Sequence, residues 1–151
     1  MFSHRERITR TLSGEAVDRI PVALWRHFPV EDQTAGGLAN AVVYFQERYD
    51  FDFVKITPAS SFCVKDWGAV DQWNGNPEGS CEYVKFPVQH FEDWKKIQPI
   101  SVNYGALGEQ LECIKLIRKH LPSDTPIIQT IFNPLSQAKN LVGKNNLAAH
   151  I

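Results

Sequence analysis

An alternation constrains this chain more than any other feature. Strand-length apolar runs take turns with segments whose apolar residues recur at helical spacing. The runs are Ile20–Trp25 (IPVALW), Phe51–Thr57 (FDFVKIT) and Pro126–Phe132 (PIIQTIF). Between the first two, Leu38, Val42, Phe45 and Tyr49 fall on one helical face; before the third, Leu107, Leu111, Ile114, Ile117 and Leu121 do the same. Such alternation predicts parallel βαβ units with right-handed crossovers. Runs that are apolar throughout fit strands covered on both faces.

Local signals place the boundaries. Ser3-x-x-Glu6 is a capping box that opens a short helix carrying Ile8 and Leu12, with Gly14 as its stop. Pro21 is tolerable at the start of a strand. Asp32 or Thr34 can cap the second helix, and Pro58 stops the second strand. The stretch from Ala59 to His90 is long for a structureless loop, so local structure is expected: a turn at Asn74-Gly75-Asn76-Pro77 and a strand of a hairpin excursion within Ser80–Val88. Phe91–Ile97 reads as a short helix. Asn133-Pro134 opens another that carries Leu135, Ala138, Leu141 and Val142, and a break near Gly143 precedes a further helical segment.

Two α/β architectures compete, an open doubly wound sheet and a (β/α)8 barrel. A doubly wound nucleotide binder carries a Gly-rich turn after its first strand. Here that connection is Arg26-His27-Phe28-Pro29-Val30-Glu31-Asp32, without glycine, and Gly36-Gly37 comes only near the helix start. The expected fold is therefore α/β, the N-terminal portion of a (β/α)8 TIM-like barrel. About three of eight strands are present, and a closed barrel takes about 250 residues. Residues 1–151 form one incomplete barrel domain on this reading.

With 16 Lys and Arg against 17 Asp and Glu, the formal charge is -1, so neither nucleic acid nor an anionic membrane is the expected partner. Apolar runs of about five residues fall far short of a membrane span, and the N-terminus shows no apolar signal region. Cys63, Cys81 and Cys113 are odd in number, widely spaced and free of any C-x-x-C, which fits reduced, buried thiols and a cytoplasmic location.

In both architectures function sits at the carboxyl ends of the strands. Arg26 and His27 follow the first, Lys55, Thr57 and Ser60 close the second, and Asn133 follows the third. Arg26 offers a fixed charge in a planar fork suited to a carboxylate; its plainer use is pairing with Glu31 or Asp32. His27 titrates near neutrality, or it holds its loop by a hydrogen bond. Lys55 interrupts an apolar strand and needs a partner, a substrate anion or a path to water. Thr57, Ser60 and Asn133 can bind a ligand or cap the next segment of chain. Asp66, before Trp67-Gly68 in the long loop, can close over a ligand. Asp50 and Asp52 precede the second strand, at the opposite end, and are not an acid/base pair. No H-E-x-x-H, G-x-S-x-G or His-x-Cys occurs, so the chain by itself supplies no metal site.

The segments DRIPVALWRH (18–27), DFVKITP (52–58), Asp66-Trp67-Gly68 and Phe132-Asn133-Pro134-Leu135, in this order, resemble the N-terminal part of the uroporphyrinogen decarboxylase superfamily. The resemblance implies a distorted (β/α)8 barrel. It also implies one of two activities, cofactor-free decarboxylation in haem biosynthesis or methyl transfer between corrinoids and thiols or other acceptors. Decarboxylases of this kind grip substrate carboxylates with two arginines of an Arg-Gln-Ala-Gly-Arg type motif. Arg26 matches the first, and Val30 stands in the place of the second. They also carry an Asp after the second strand that faces the pyrrole N–H groups; Ala59 falls there. The resemblance thus implies a methyltransferase-like parent, with a corrinoid or a carboxylated small molecule as substrate. Uroporphyrinogen decarboxylation and a non-catalytic ligand- or partner-binding module are the alternatives. Arg26 and His27 are then the catalytic candidates, and Lys55, Thr57, Ser60, Asp66 and Asn133 the substrate-binding ones. No cofactor is expected within this chain; zinc, held by a His-x-Cys and a later Cys, and a corrinoid are implied for the full-length parent. The isolated chain is expected to be inactive without the C-terminal half of the barrel, and oligomer formation is left open.

Overall fold

The computed structural model describes residues 1–151. Along the chain run α1 (His4–Leu12), α2 (Ala35–Tyr49), β1 (Val54–Ile56), β2 (Val70–Gln72), β3 (Glu82–Lys85), α3 (Gly105–His120), β4 (Ile127–Gln129) and α4 (Pro134–Val142), joined by loops and 3-10 turns. The chain divides into two units, Met1–Thr57 with Glu112–Thr130, and Pro58–Leu111 with Ile131–Ile151.

In the first unit β1 and β4 pair in parallel, Val54 opposite Ile127 and Ile56 opposite Gln129, as the alternation predicts. Thr34 rather than Asp32 caps α2: its hydroxyl accepts the Gly37 N–H at 3.0 Å. The capping box of α1 also forms, with Ser3 and Glu6 exchanging both hydrogen bonds. The helical stripe buries Leu38, Ala39 and Val42 of α2 against Val54, Ile56, Cys113, Ile117 and Leu121. Phe45, Tyr49 and Phe51 form an aromatic cluster with ring centroids 4.9–5.7 Å apart.

The first expected strand is a correction. Ile20–Trp25 belongs to no ladder. Pro21 has no N–H to give. Val22 spends both of its backbone groups on one residue: its N–H donates to the Asp52 carboxylate at 2.7 Å and its carbonyl accepts the Asp52 N–H at 2.8 Å. Ile20 is 80 % exposed and Leu24 63 %, so cover on both faces is not provided by these residues. The second and third strands are shorter than expected, three residues each in β1 and β4.

The second unit holds the hairpin excursion. β2 and β3 run antiparallel with Asp71 opposite Tyr83, and a bulge falls between Val70 and Asp71. Its core is Val64, Ala69, Val88, Leu141 and Val142. Phe91–Lys96 is a 3-10 turn rather than an α-helix, because Asp93 draws the chain tight by accepting the N–H groups of Gln89 and His90 at 3.0 and 2.9 Å. Past Gly143 the expected helical segment is only a 3-10 turn, Leu147–His150. No helix in either unit is long and apolar enough to cross a membrane.

Candidate functional site

The densest charge in the first unit is bound up in structure. The Asp52 carboxylate, fully buried, accepts from Arg7 (2.5 Å), from Arg19 through two nitrogens (2.5 and 3.0 Å) and from the Val22 N–H, and lies 3.2 Å from His4 Nδ1. Arg7 also grips Asp18 with Nε and Nη2, at 2.7 and 3.0 Å. Burial works against ionisation of Asp52, but the donors from Arg19, Val22, His4 and Arg7 outweigh it and hold the carboxyl well below the usual range. Arg7 does the same for Asp18. An acid so committed is no general base, in keeping with the expectation for Asp52. Spacing alone gave no sign that Arg7 and Arg19 would converge on it.

Arg26 and Lys55 line one small cavity of the first unit with Leu24, Trp25, Phe28 and Val54. Its volume, about 10 Å³, is the room of a single water. The Lys55 ammonium sits 4.4 Å from the Trp25 ring centroid, and the Arg26 guanidinium 5.4 Å from that of Phe28. The Arg26 Nε–H donates to the His27 carbonyl at 3.2 Å rather than to Glu31. The His27 ring is half-buried. Thr57 is buried, and its hydroxyl turns to the Lys55 carbonyl at 3.4 Å. The cysteines are free. Burial pushes the Cys113 thiol up to about 12 and raises that of Cys63, which leaves both as poor nucleophiles.

In the second unit, Asp66 and Asn133 serve helix starts. Both Asp66 carboxylate oxygens accept the Ala106 N–H, at 3.1 and 2.9 Å, just inside α3. Gly105 makes this possible, since its φ is +54° and a Cβ there would overlap the Asp66 carboxylate. Asn133 Oδ1 accepts the Ser136 N–H at 2.9 Å and caps α4. Ser60 is different. Its hydroxyl donates to the Tyr83 hydroxyl at 3.3 Å, at the edge of a cavity of about 300 Å³. Lys139, Asn140 and Lys144 also line that cavity. Sequence reasoning reached Ser60 but missed the others. The one legible signal was Ser136, Lys139 and Asn140 at i, i+3 and i+4, a polar face on α4.

The uroporphyrinogen decarboxylase (URO-D) family profile matches residues 3–150. The chain belongs to the uroporphyrinogen decarboxylase family. Among curated URO-D relatives, the methylcobamide:CoM methyltransferase MtbA of Methanosarcina acetivorans is 25 % identical over 94 % of this chain and 45 % of its own length. MtbA of Methanosarcina mazei is 23 % identical over the same shares. A solved methyltransferase from Methanosarcina mazei superposes with a TM-score of 0.75 at 20 % identity, covering 96 % of this chain and 47 % of that one. The likeness to that structure shows a shared mixed α/β fold. This URO-D chain spans about half the length of the relatives it matches. At the two positions where the decarboxylase pattern places Arg and Asp, it has Val30, which is 66 % exposed, and Ala59.

Proposed function

We propose that this chain is the N-terminal portion of a (β/α)8 barrel of the URO-D family. On this reading its parent transfers a methyl group involving a corrinoid or a thiol acceptor. Support comes from one observation above all: 94 % of the chain aligns with methylcobamide:CoM methyltransferases, while an arginine and an aspartate of the decarboxylase pattern are replaced by Val30 and Ala59. Without them, a polyanionic tetrapyrrole loses one carboxylate clamp and the acceptor for its pyrrole N–H groups.

Arg26 and His27 remain the catalytic candidates, with Lys55, Thr57 and Ser60 on the substrate side. Arg26 and Lys55 are supported by their shared cavity and by the aromatic rings beside them. Asp66 and Asn133 act as positioning residues, since their oxygens are already committed to the starts of α3 and α4. Zinc does not fit the residues present, because no three His, Cys, Asp or Glu side chains converge to hold a metal. Its ligands in the parent belong to the other half of the barrel. Three free thiols agree with a cytoplasmic setting.

The test is to express the parent encoded around this chain and to incubate it with methylcobalamin and a small thiol, following the corrin absorbance. Demethylation is the expected result, with uroporphyrinogen left unchanged in a parallel reaction. Conversion of uroporphyrinogen to coproporphyrinogen without demethylation overturns the reading in favour of decarboxylation. In a parent active as expected, Arg26→Ala lowers turnover or affinity by about tenfold or more, the cost of losing a charged hydrogen bond.

A further inference from the structure

We propose that Asn74 is a site of spontaneous deamidation, and that the carboxylate formed there repels Glu82 and loosens the β2–β3 hairpin. Asn74 and Gly75 are both exposed, in the loop that joins β2 to β3. Gly75 has a φ of +80°, and a Cβ built on it would meet no atom within 4 Å. The reaction needs only water. The Gly75 backbone nitrogen bonds to the Asn74 side-chain carbon Cγ and gives up its proton, by way of solvent, to the departing nitrogen; the Cγ–Nδ2 bond breaks and ammonia leaves. Water then opens the succinimide ring at one of its two carbonyls, to aspartate or to isoaspartate.

No other asparagine combines these features. Asn74 alone precedes a glycine. Asn76 and Asn133 precede prolines, whose nitrogen has no proton to give. Asn40 and Asn140 sit inside α2 and α4, where the next N–H belongs to the helix. After Asn103 and Asn145 the next N–H is already bonded, Tyr104 to the Ser101 carbonyl at 3.1 Å and Asn146 to that of Gly143 at 3.2 Å. Leu147 follows Asn146 and crowds the attack with a side chain that Gly75 lacks. At the hairpin tip the turn's bonds converge on Asn76. Its carbonyl accepts the Gly79 N–H and the Trp73 indole N–H, both at 2.9 Å, and its side chain accepts the Glu78 N–H at 2.8 Å. None of these bonds uses the Gly75 N–H.

The consequence lies across the hairpin. Asn74 Nδ2 donates to Glu82 Oε2 at 3.1 Å, and Glu82 opens β3 opposite Gln72. Deamidation removes that donor and sets a second carboxylate in its place, so a hydrogen bond becomes a like-charge pair. The two-stranded ladder has little to set against this. β2 is three residues long and β3 four, with a bulge already between Val70 and Asp71. Isoaspartate also lengthens the backbone by a methylene and displaces the turn further. The fold does not reverse the ring opening, so the change accumulates with the age of the molecule. None of this depends on methyl transfer.

The full chain is incubated in mildly alkaline buffer and mapped by peptide mass spectrometry, with isoaspartate scored enzymatically. Asn74 is expected to convert before every other asparagine, and faster as pH rises. Conversion of another asparagine first, or an intact Asn74 once a free peptide of residues 73–77 has converted fully, overturns the site. Asn74→Asp reports the consequence without the wait. Hydrogen exchange at the β2 and β3 amides is expected to quicken about twofold to fivefold, and by less at high salt. Adding Glu82→Gln is expected to restore the slower exchange, since a carboxylate at position 74 can then accept from the amide at position 82. Both positions are exposed, so neither substitution disturbs a core. Exchange unchanged in Asn74→Asp, or not restored by Glu82→Gln, overturns the loosening.

Discussion

The Asp52 cluster of the first unit and the Lys139–Lys144 pair of the second handle charge in opposite ways. Around Asp52 the first unit gathers two guanidiniums, a histidine ring and a backbone N–H onto one buried carboxylate, and Asp18 closes the other side of Arg7. Each charge of that cluster is answered from within it. Lys139 and Lys144 in the second unit have no such answer. The larger cluster is thus the poorer candidate for chemistry. A site is marked less by how many charges converge than by which of them remain unspent after folding.

The contrast predicts unequal responses to substitution. The largest effect belongs to Asp52→Asn, which leaves Arg7 without its buried partner; a loss of about 3–5 kcal/mol is expected in urea unfolding. A loss below about 1 kcal/mol would mean that the cluster is ornamental. Acid comes next. Asp18 and Asp52 are held below the ordinary aspartate value of about 3.9, so their contribution is complete above that pH and is lost as pH falls toward their folded values. The thermal unfolding midpoint should therefore fall below about pH 4, and Asp52→Asn should flatten that dependence. The double substitution Lys139→Met with Lys144→Met should keep the unsubstituted chain's acid profile and differ in stability by less than about 0.5 kcal/mol, since both side chains are exposed. The smallest change is Ser61→Ala. The Ser61 hydroxyl is buried without a hydrogen-bond partner, so its removal should be neutral or stabilising by up to about 1 kcal/mol.

What the sequence disclosed was local. Helix stripes, the Ser3–Glu6 box, the Asn133 cap and the Gly143 stop all lie within a few residues of the elements they govern, and each is found where periodicity and capping place it. The parallel pairing of β1 with β4 followed from alternation. What escaped was bonding across distance. Asp52 reaches Val22 thirty residues back, Asp66 reaches Ala106 forty residues ahead, and Ser60 meets Tyr83 from twenty-three residues away. No period or cap encodes such meetings. For the same reason Ile20–Trp25 has strand composition but not strand pairing: a carboxylate, invisible to β-propensity, took the N–H that a ladder would have used. The cavity beside Ser60 draws on the hairpin and on α4 together, so of its lining only Ser60, at a strand end, is legible from strand-end position.

The double hold of Asp52 on Val22 has a consequence for hydrogen exchange. Val22 lies in an exposed, unladdered segment, where amide protons ordinarily exchange with solvent almost as freely as in an open chain. Its own proton is instead bound to a buried carboxylate that Arg7 and Arg19 also hold. The Val22 amide should exchange slowly amid fast neighbours, and its rate should track the opening of the whole arginine–aspartate cluster, making one proton a clock for the N-terminal unit.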